Sequence, residues 1–100
     1  MTITIPTYVQ EYLDTLRDDD ETGESCSFYE CVLARAMRKG GLLYPSVYVL
    51  SCAWRDAKNT RHTRDLTADE KMIAKIMDAC QEEYPTKKQF MEKLKEMTQS

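Results

Sequence analysis

YPSVYVLSCAWRDA, residues 44 to 57, is the stretch whose reading decides the fold. Val47, Tyr48 and Val49 suit a strand, because β-branched and aromatic side chains fit a pleated surface. Val47, Leu50, Ala53, Trp54 and Ala57 instead keep the three- and four-residue steps of one helix face. The helical reading is preferred, with a helix from about Ser46 to Lys58. Such a helix is apolar on nearly every side and belongs at the centre of a packed array.

Outward from this stretch, helix starts are written by one device. A Ser or Thr followed three residues later by Glu or Gln satisfies two orphan backbone donors reciprocally, and the spacing occurs at Thr7/Gln10, Ser27/Glu30, Thr67/Glu70 and Thr86/Gln89. Behind each lies an apolar stripe of helical period. The stripes are Tyr8, Val9, Tyr12, Leu13 and Leu16; Phe28, Tyr29, Val32, Leu33, Ala36 and Met37; Met72, Ile73, Ile76, Met77 and Cys80; and Phe90, Met91, Leu94 and Met97. Arg38 and Lys39 complement the dipole at the end of the second helix, and Gly40 is placed to take the left-handed conformation that closes it. Pro85 separates the last two helices. The expected fold is all-α, a compact array of about five short helices in one domain spanning residues 1–100, with MTITI as a short extended N-terminal arm.

Composition agrees with a single core, since 100 residues at 42% hydrophobic are too few for two. The chain opens without a basic segment followed by an apolar run, and no stretch approaches the eighteen or so apolar residues of a membrane span. A cytoplasmic protein with no membrane partner is expected. In that compartment Cys26, Cys31, Cys52 and Cys80 are free thiols, and Cys26 and Cys31 meet as a staple around the helix capped by Ser27.

The net charge of −3 hides a division along the chain. Residues 1 to 33 hold eight acids (Glu11, Asp14, Asp18, Asp19, Asp20, Glu21, Glu24 and Glu30) against Arg17, a balance of −7. Residues 34 to 64 hold Arg35, Arg38, Lys39, Arg55, Lys58, Arg61 and Arg64 against Asp56, a balance of +6. Two regions of opposite sign either pair within the fold or face a partner.

Catalytic and metal-binding patterns break at one element each. A calcium loop that starts at Asp18 puts Gly23 at position six but Tyr29 where position twelve needs a carboxylate, and one that starts at Asp19 brings Glu30 to twelve and loses the glycine. The cysteines with His62 match no compact zinc spacing. With one histidine, a nucleophile could only be a cysteine paired with His62, and Cys52 lies in the stretch expected to be core. Three glycines make no phosphate loop. No enzyme, cofactor or metal is expected.

What remains is a non-enzymatic interaction protein, a small helical regulator or inhibitor of the kind that viruses and mobile elements encode. It would bind a protein partner through acidic Glu11, Asp14, Asp18, Asp19, Asp20, Glu21 and Glu24 and basic Arg35, Arg38, Lys39, Arg55, Lys58, Arg61 and Arg64. Two alternatives stand beside it. Within WRDAKNTRHTRD, residues 54 to 65, the basic segment 55 to 64 sets Arg55, Lys58, Arg61 and Arg64 beside Trp54, the mixture of a nucleic-acid-binding module, and the acidic loop could make a divalent-metal-responsive helix-loop-helix. A homodimer seam along Met91 and Met97 is the rival to their filling the core.

Overall fold

Asp56 and Asn59 make a hairpin turn at the end of the central stretch, where a helix is expected. The computed structural model describes residues 4–98, and in it the chain runs α1 (Thr7–Asp14), α2 (Val32–Lys39), β1 (Leu43–Val47), β2 (Ser51–Arg55), β3 (Arg61–Asp65), α3 (Ala68–Ala79) and α4 (Lys87–Thr98). The three strands form an antiparallel sheet in the order β1-β2-β3. The expected all-α array is therefore wrong: four helices pack with a three-stranded sheet, an α+β fold, and the helix placed at Ser46 to Lys58 is instead the end of β1, the whole of β2 and the turns on either side of it.

Local chemistry explains the strands. Pro45 cannot donate to a ladder, and the pairing of β1 with β2 slips between Leu43 and Ser46, with Tyr44 at φ 48°. At the other end, the Asp56 carboxylate accepts from the backbone of Lys58 (2.9 Å) and Thr60 (3.0 Å). Asn59 takes a left-handed φ of 64°, which Asn tolerates better than most residues. An Asp opening the turn and an Asn in the left-handed position make a three-residue hairpin loop. The helical spacing of Val47, Leu50, Ala53 and Trp54 is a by-product of two turns falling between apolar strand residues.

The helix starts fare unevenly. Thr67 and Glu70 form the expected reciprocal cap, and Thr86 with Gln89 repeats it at 2.9 and 3.2 Å. At α1 the N-cap is Pro6 with no side-chain cap, so Thr7 is already inside the helix. Ser27 accepts from the Glu30 amide (3.0 Å), yet the helix begins only at Val32, where the Cys31 sulfur caps the Ala34 amide. Cys26 and Cys31 are thus not the expected staple: Cys26 Sγ lies 3.4 Å from Asp78 Oδ1 instead. The second helix closes through Gly41 at φ 105°, while Gly40 stays helical at φ −77°. MTITI falls largely outside the described residues; Thr4 and Ile5 carry no regular structure.

The core lies between the helices and one face of the sheet. Val9, Leu13, Leu33, Ile73, Ile76 and Phe90 are fully buried, and Val47 and Cys52 reach them from the strands. Met91 and Met97 pack on this core, as core filling requires. Gly23 is what lets the first loop close on α2, because a Cβ there would stand 2.6 Å from the Val32 nitrogen and 2.7 Å from the Glu30 oxygen. Beside it Thr22 is buried, donating to the Pro85 carbonyl (2.8 Å) while its own carbonyl accepts from the Tyr12 hydroxyl (2.8 Å). Among the described residues no helix is long and apolar enough to cross a membrane.

Candidate interaction surfaces

The acidic segment turns out to be a fastening for α4. The carbonyls of Asp20 and Asp18 accept from the amides of Lys87 (2.8 Å) and Lys88 (3.0 Å), which satisfies orphan donors of the α4 N-terminus. Asp20 also holds the Arg17 amide (2.8 Å), and Asp14 accepts from Gln10 (2.8 Å). The carboxylates of Glu11, Asp18, Asp19 and Glu21 stay in solvent. Among the described residues no three His, Cys, Asp or Glu side chains converge as a metal site requires.

The basic residues divide into two groups on different elements. Arg35 and Arg38 of α2 both reach Glu30, at 3.2 and 3.3 Å, and Lys39 is exposed beside them. With Tyr12 these side chains line an open hollow of about 470 Å³. The second group rides the β2–β3 hairpin. Arg55 and Arg61 stand directly opposite each other, and Lys58 sits in the connecting turn. Like charges at facing positions destabilise a strand pair. Asp56 is spent on the turn and on His62 (2.8 Å), whose hydrogen bond holds the carboxyl below its ordinary range. Trp54, expected in the core, is half-buried with its ring stacked on His62 at 5.6 Å.

Arg64 belongs to neither group in practice. Its guanidinium grips Glu70 in bidentate fashion, at 2.7 and 2.8 Å, and the Glu70 side chain is only 1% exposed. The Tyr8 hydroxyl donates to the same carboxylate, as does the Thr67 amide (2.9 Å), so both Glu70 oxygens are fully satisfied. Burial by itself pushes the Glu70 acid up, but Arg64, Tyr8 and Thr67 outweigh it and bring it down to about 2. Arg64 is held charged by the same bond, and burial with the Glu70 contact pushes the Tyr8 phenol up. The cluster ties α1, β3 and α3 together, and it lies apart from the hollow that Arg35 and Arg38 line.

The most distinctive surface is one that the sequence reading placed in the interior. Phe28 and Tyr29 are 52% and 60% exposed, and Val49 and Leu50, at the tip of the β1–β2 turn, are 83% and 63% exposed. Tyr44, Tyr48 and Tyr84 are exposed as well. Phe28 and Tyr48 pair at 5.5 Å, and the Val47 amide donates to the Phe28 carbonyl (2.8 Å), which sets that loop along the outer side of β1. Phe28, Tyr48, Val49 and Leu50 form one wall of a groove of about 490 Å³. Val32, Leu33, Val47 and Met77 also line it, and Lys71, Ala74, Lys75 and Asp78 of α3 make the facing wall. Lys71 and Lys75 are exposed, one turn apart, and have no ion-pair partner among the described residues. Apolar residues at a hairpin tip, where Gly, Asn, Asp and Pro are the usual choices, are the one signal that marks this groove in the sequence.

Cys26 and Cys31 also line the groove. Cys26 is exposed, while burial pushes the Cys31 thiol up, and all four cysteines are free thiols.

Compared with known proteins, the chain matches no family model, no curated protein and no solved structure.

Proposed function

We propose that the protein is a non-enzymatic binding module whose docking surface is the apolar groove between the β1–β2 turn and α3. Its partner is another protein that presents an apolar segment with acidic neighbours. The observation that carries this reading is the groove wall. Val49 and Leu50 at 83% and 63% exposure, beside Phe28 and Tyr48, leave apolar surface in solvent next to the core residues Val32, Leu33, Val47 and Met77. Contiguous apolar patches with a polar rim mark interaction sites. Covering a Val, Leu or Phe side chain is worth roughly 1.5 to 3 kcal/mol each, so three of them can anchor a partner. Acidic neighbours follow from Lys71 and Lys75, two cations on the rim that wait for a counter-charge. The protein partner expected from the sequence is kept; the surface moves from the charged segments to the groove.

A library of random peptides displayed on phage is the direct probe. The expected result is enrichment of peptides with two or three large apolar residues and flanking Asp or Glu. Their binding should be lost in Leu50→Asp and weakened in Lys71→Glu with Lys75→Glu. Enriched peptides that bind Leu50→Asp as well as wild type would refute the groove.

A second reading rests on the hairpin. The facing Arg55 and Arg61, with Lys58 in the turn, suit the phosphates of a nucleic acid, and Trp54 beside them offers a ring. The short run of cations and the net charge of −3 make this the weaker proposal.

A further inference from the structure

The free edge of β3 is written to match itself. The Asp56 amide donates to Thr60 (3.0 Å) and the Leu66 amide to Leu50 (2.9 Å), which fixes the phase of hydrogen bonding between β2 and β3. By the two-residue alternation of an antiparallel ladder, His62 and Arg64 turn their backbone groups toward β2, and Arg61, Thr63 and Asp65 turn theirs outward. β3 is the last strand of the sheet, and all five of its residues are exposed. Among the described residues no backbone group pairs with that outer edge; the Asp65 carbonyl accepts only from the Arg64 side chain (3.1 Å).

We infer that this edge pairs antiparallel with the same edge of a second copy, about a two-fold axis at Thr63, to give a continuous six-stranded sheet. In that register Arg61 faces the second copy's Asp65, Thr63 faces its counterpart, and Asp65 faces the second copy's Arg61. All three are outward-facing positions, so the register makes a full set of backbone hydrogen bonds. Opposite charges and paired threonines are both favourable cross-strand neighbours. The match belongs to one register. With the axis at His62, Arg61 faces Thr63 and Asp65 faces Asn59; with the axis at Arg64, Arg61 faces Thr67 and Asp65 faces Thr63. Neither side chain has an ion-pair partner among the described residues. Pairing also relieves the Arg55 and Arg61 repulsion, because Arg61 then lies between Arg55 and the second copy's Asp65.

Charged residues on an edge usually guard it against association. Here the two signs are placed symmetrically about Thr63, and a symmetric dimer requires that self-complementarity. The inference is independent of the groove, which uses other elements.

Sedimentation equilibrium from low micromolar to near-millimolar concentration tests it, with thermal melts confirming that each variant is folded. Wild type should dimerise. Arg61→Asp makes the edge wholly acidic and Asp65→Arg makes it wholly basic, so each should weaken self-association by about tenfold or more. Mixing the two single variants should produce a heterodimer, and the double variant R61D/D65R should dimerise like wild type. A wild type that is monomeric throughout, or single variants that still dimerise, would overturn the inference, as would a mixture that stays monomeric.

Discussion

Glu70→Gln replaces a buried carboxylate by an amide of the same shape, and its cost can be worked by two routes. In the folded chain the acid sits at about 2 against an ordinary 4.5. At about 1.4 kcal/mol for each pH unit, the carboxylate's bonds contribute about 3 kcal/mol at neutral pH. Breaking a buried ion pair costs roughly 3 to 5 kcal/mol, and Arg64, 38% exposed, recovers some hydration, which places this pair at the lower end. The routes agree on about 3 kcal/mol, or roughly 10 to 20 °C in melting temperature for a domain of this size. Because the folded acid is lowered, the contribution is fully present above 4.5 and is lost as pH falls through about 2. Urea unfolding of wild type and variant at neutral pH and in steps down to pH 2 should give a difference that is largest at neutral pH and shrinks across that window. A neutral-pH difference below about 1 kcal/mol, or one that does not change with pH, would refute the assignment of Glu70 as an ionised anchor.

Four further outcomes are expected. Gly23→Ala should destabilise by about 2 kcal/mol or more in the same assay, since the added methyl meets backbone atoms 2.6 to 2.7 Å away that cannot move singly. Thr67→Ala should cost about 1 kcal/mol and Thr7→Ala only a few tenths, because Thr67 caps a helix and Thr7 does not, and equal losses would contradict those caps. A thiol reagent should label exposed Cys26 first and reach Cys52, buried with its thiol pushed up, only on unfolding. If the hairpin contacts phosphate, changing Arg55, Lys58 and Arg61 to Ala should abolish fluorescence-anisotropy binding to short DNA and RNA and flatten its salt dependence; no wild-type binding at low salt disposes of that reading.

The helices were largely legible because their signals are local. The reciprocal caps at Thr67 and Thr86 and the stripes of α3 and α4 need nothing beyond four residues of context. Where the expectation failed, a local signal had been outvoted or misread. Asp56 with Asn59 spells a hairpin turn, yet the apolar spacing across it passed for a helix. Ser27 makes its bond to Glu30, yet the helix starts only at Val32, which leaves Phe28 and Tyr29 on the surface. Glycine at 23, counted as a loop position for calcium, serves close backbone approach.

Sequence alone determined the helix starts at Thr67 and Thr86, the acidic and basic division and the absence of a glycine-rich phosphate loop, because each depends on residue identity or near-neighbour spacing. Tertiary structure decided which charges remain available. Glu30 takes Arg35 and Arg38, Glu70 takes Arg64, and the hairpin keeps Arg55, Lys58 and Arg61. It also decided that Val49, Leu50 and Phe28 line an open groove and that β3 ends the sheet with its outer backbone unpaired among the described residues. Burial and strand order are properties of segments brought together from afar. A side chain's period tells which face it lies on, and only the packed chain tells whether that face is covered.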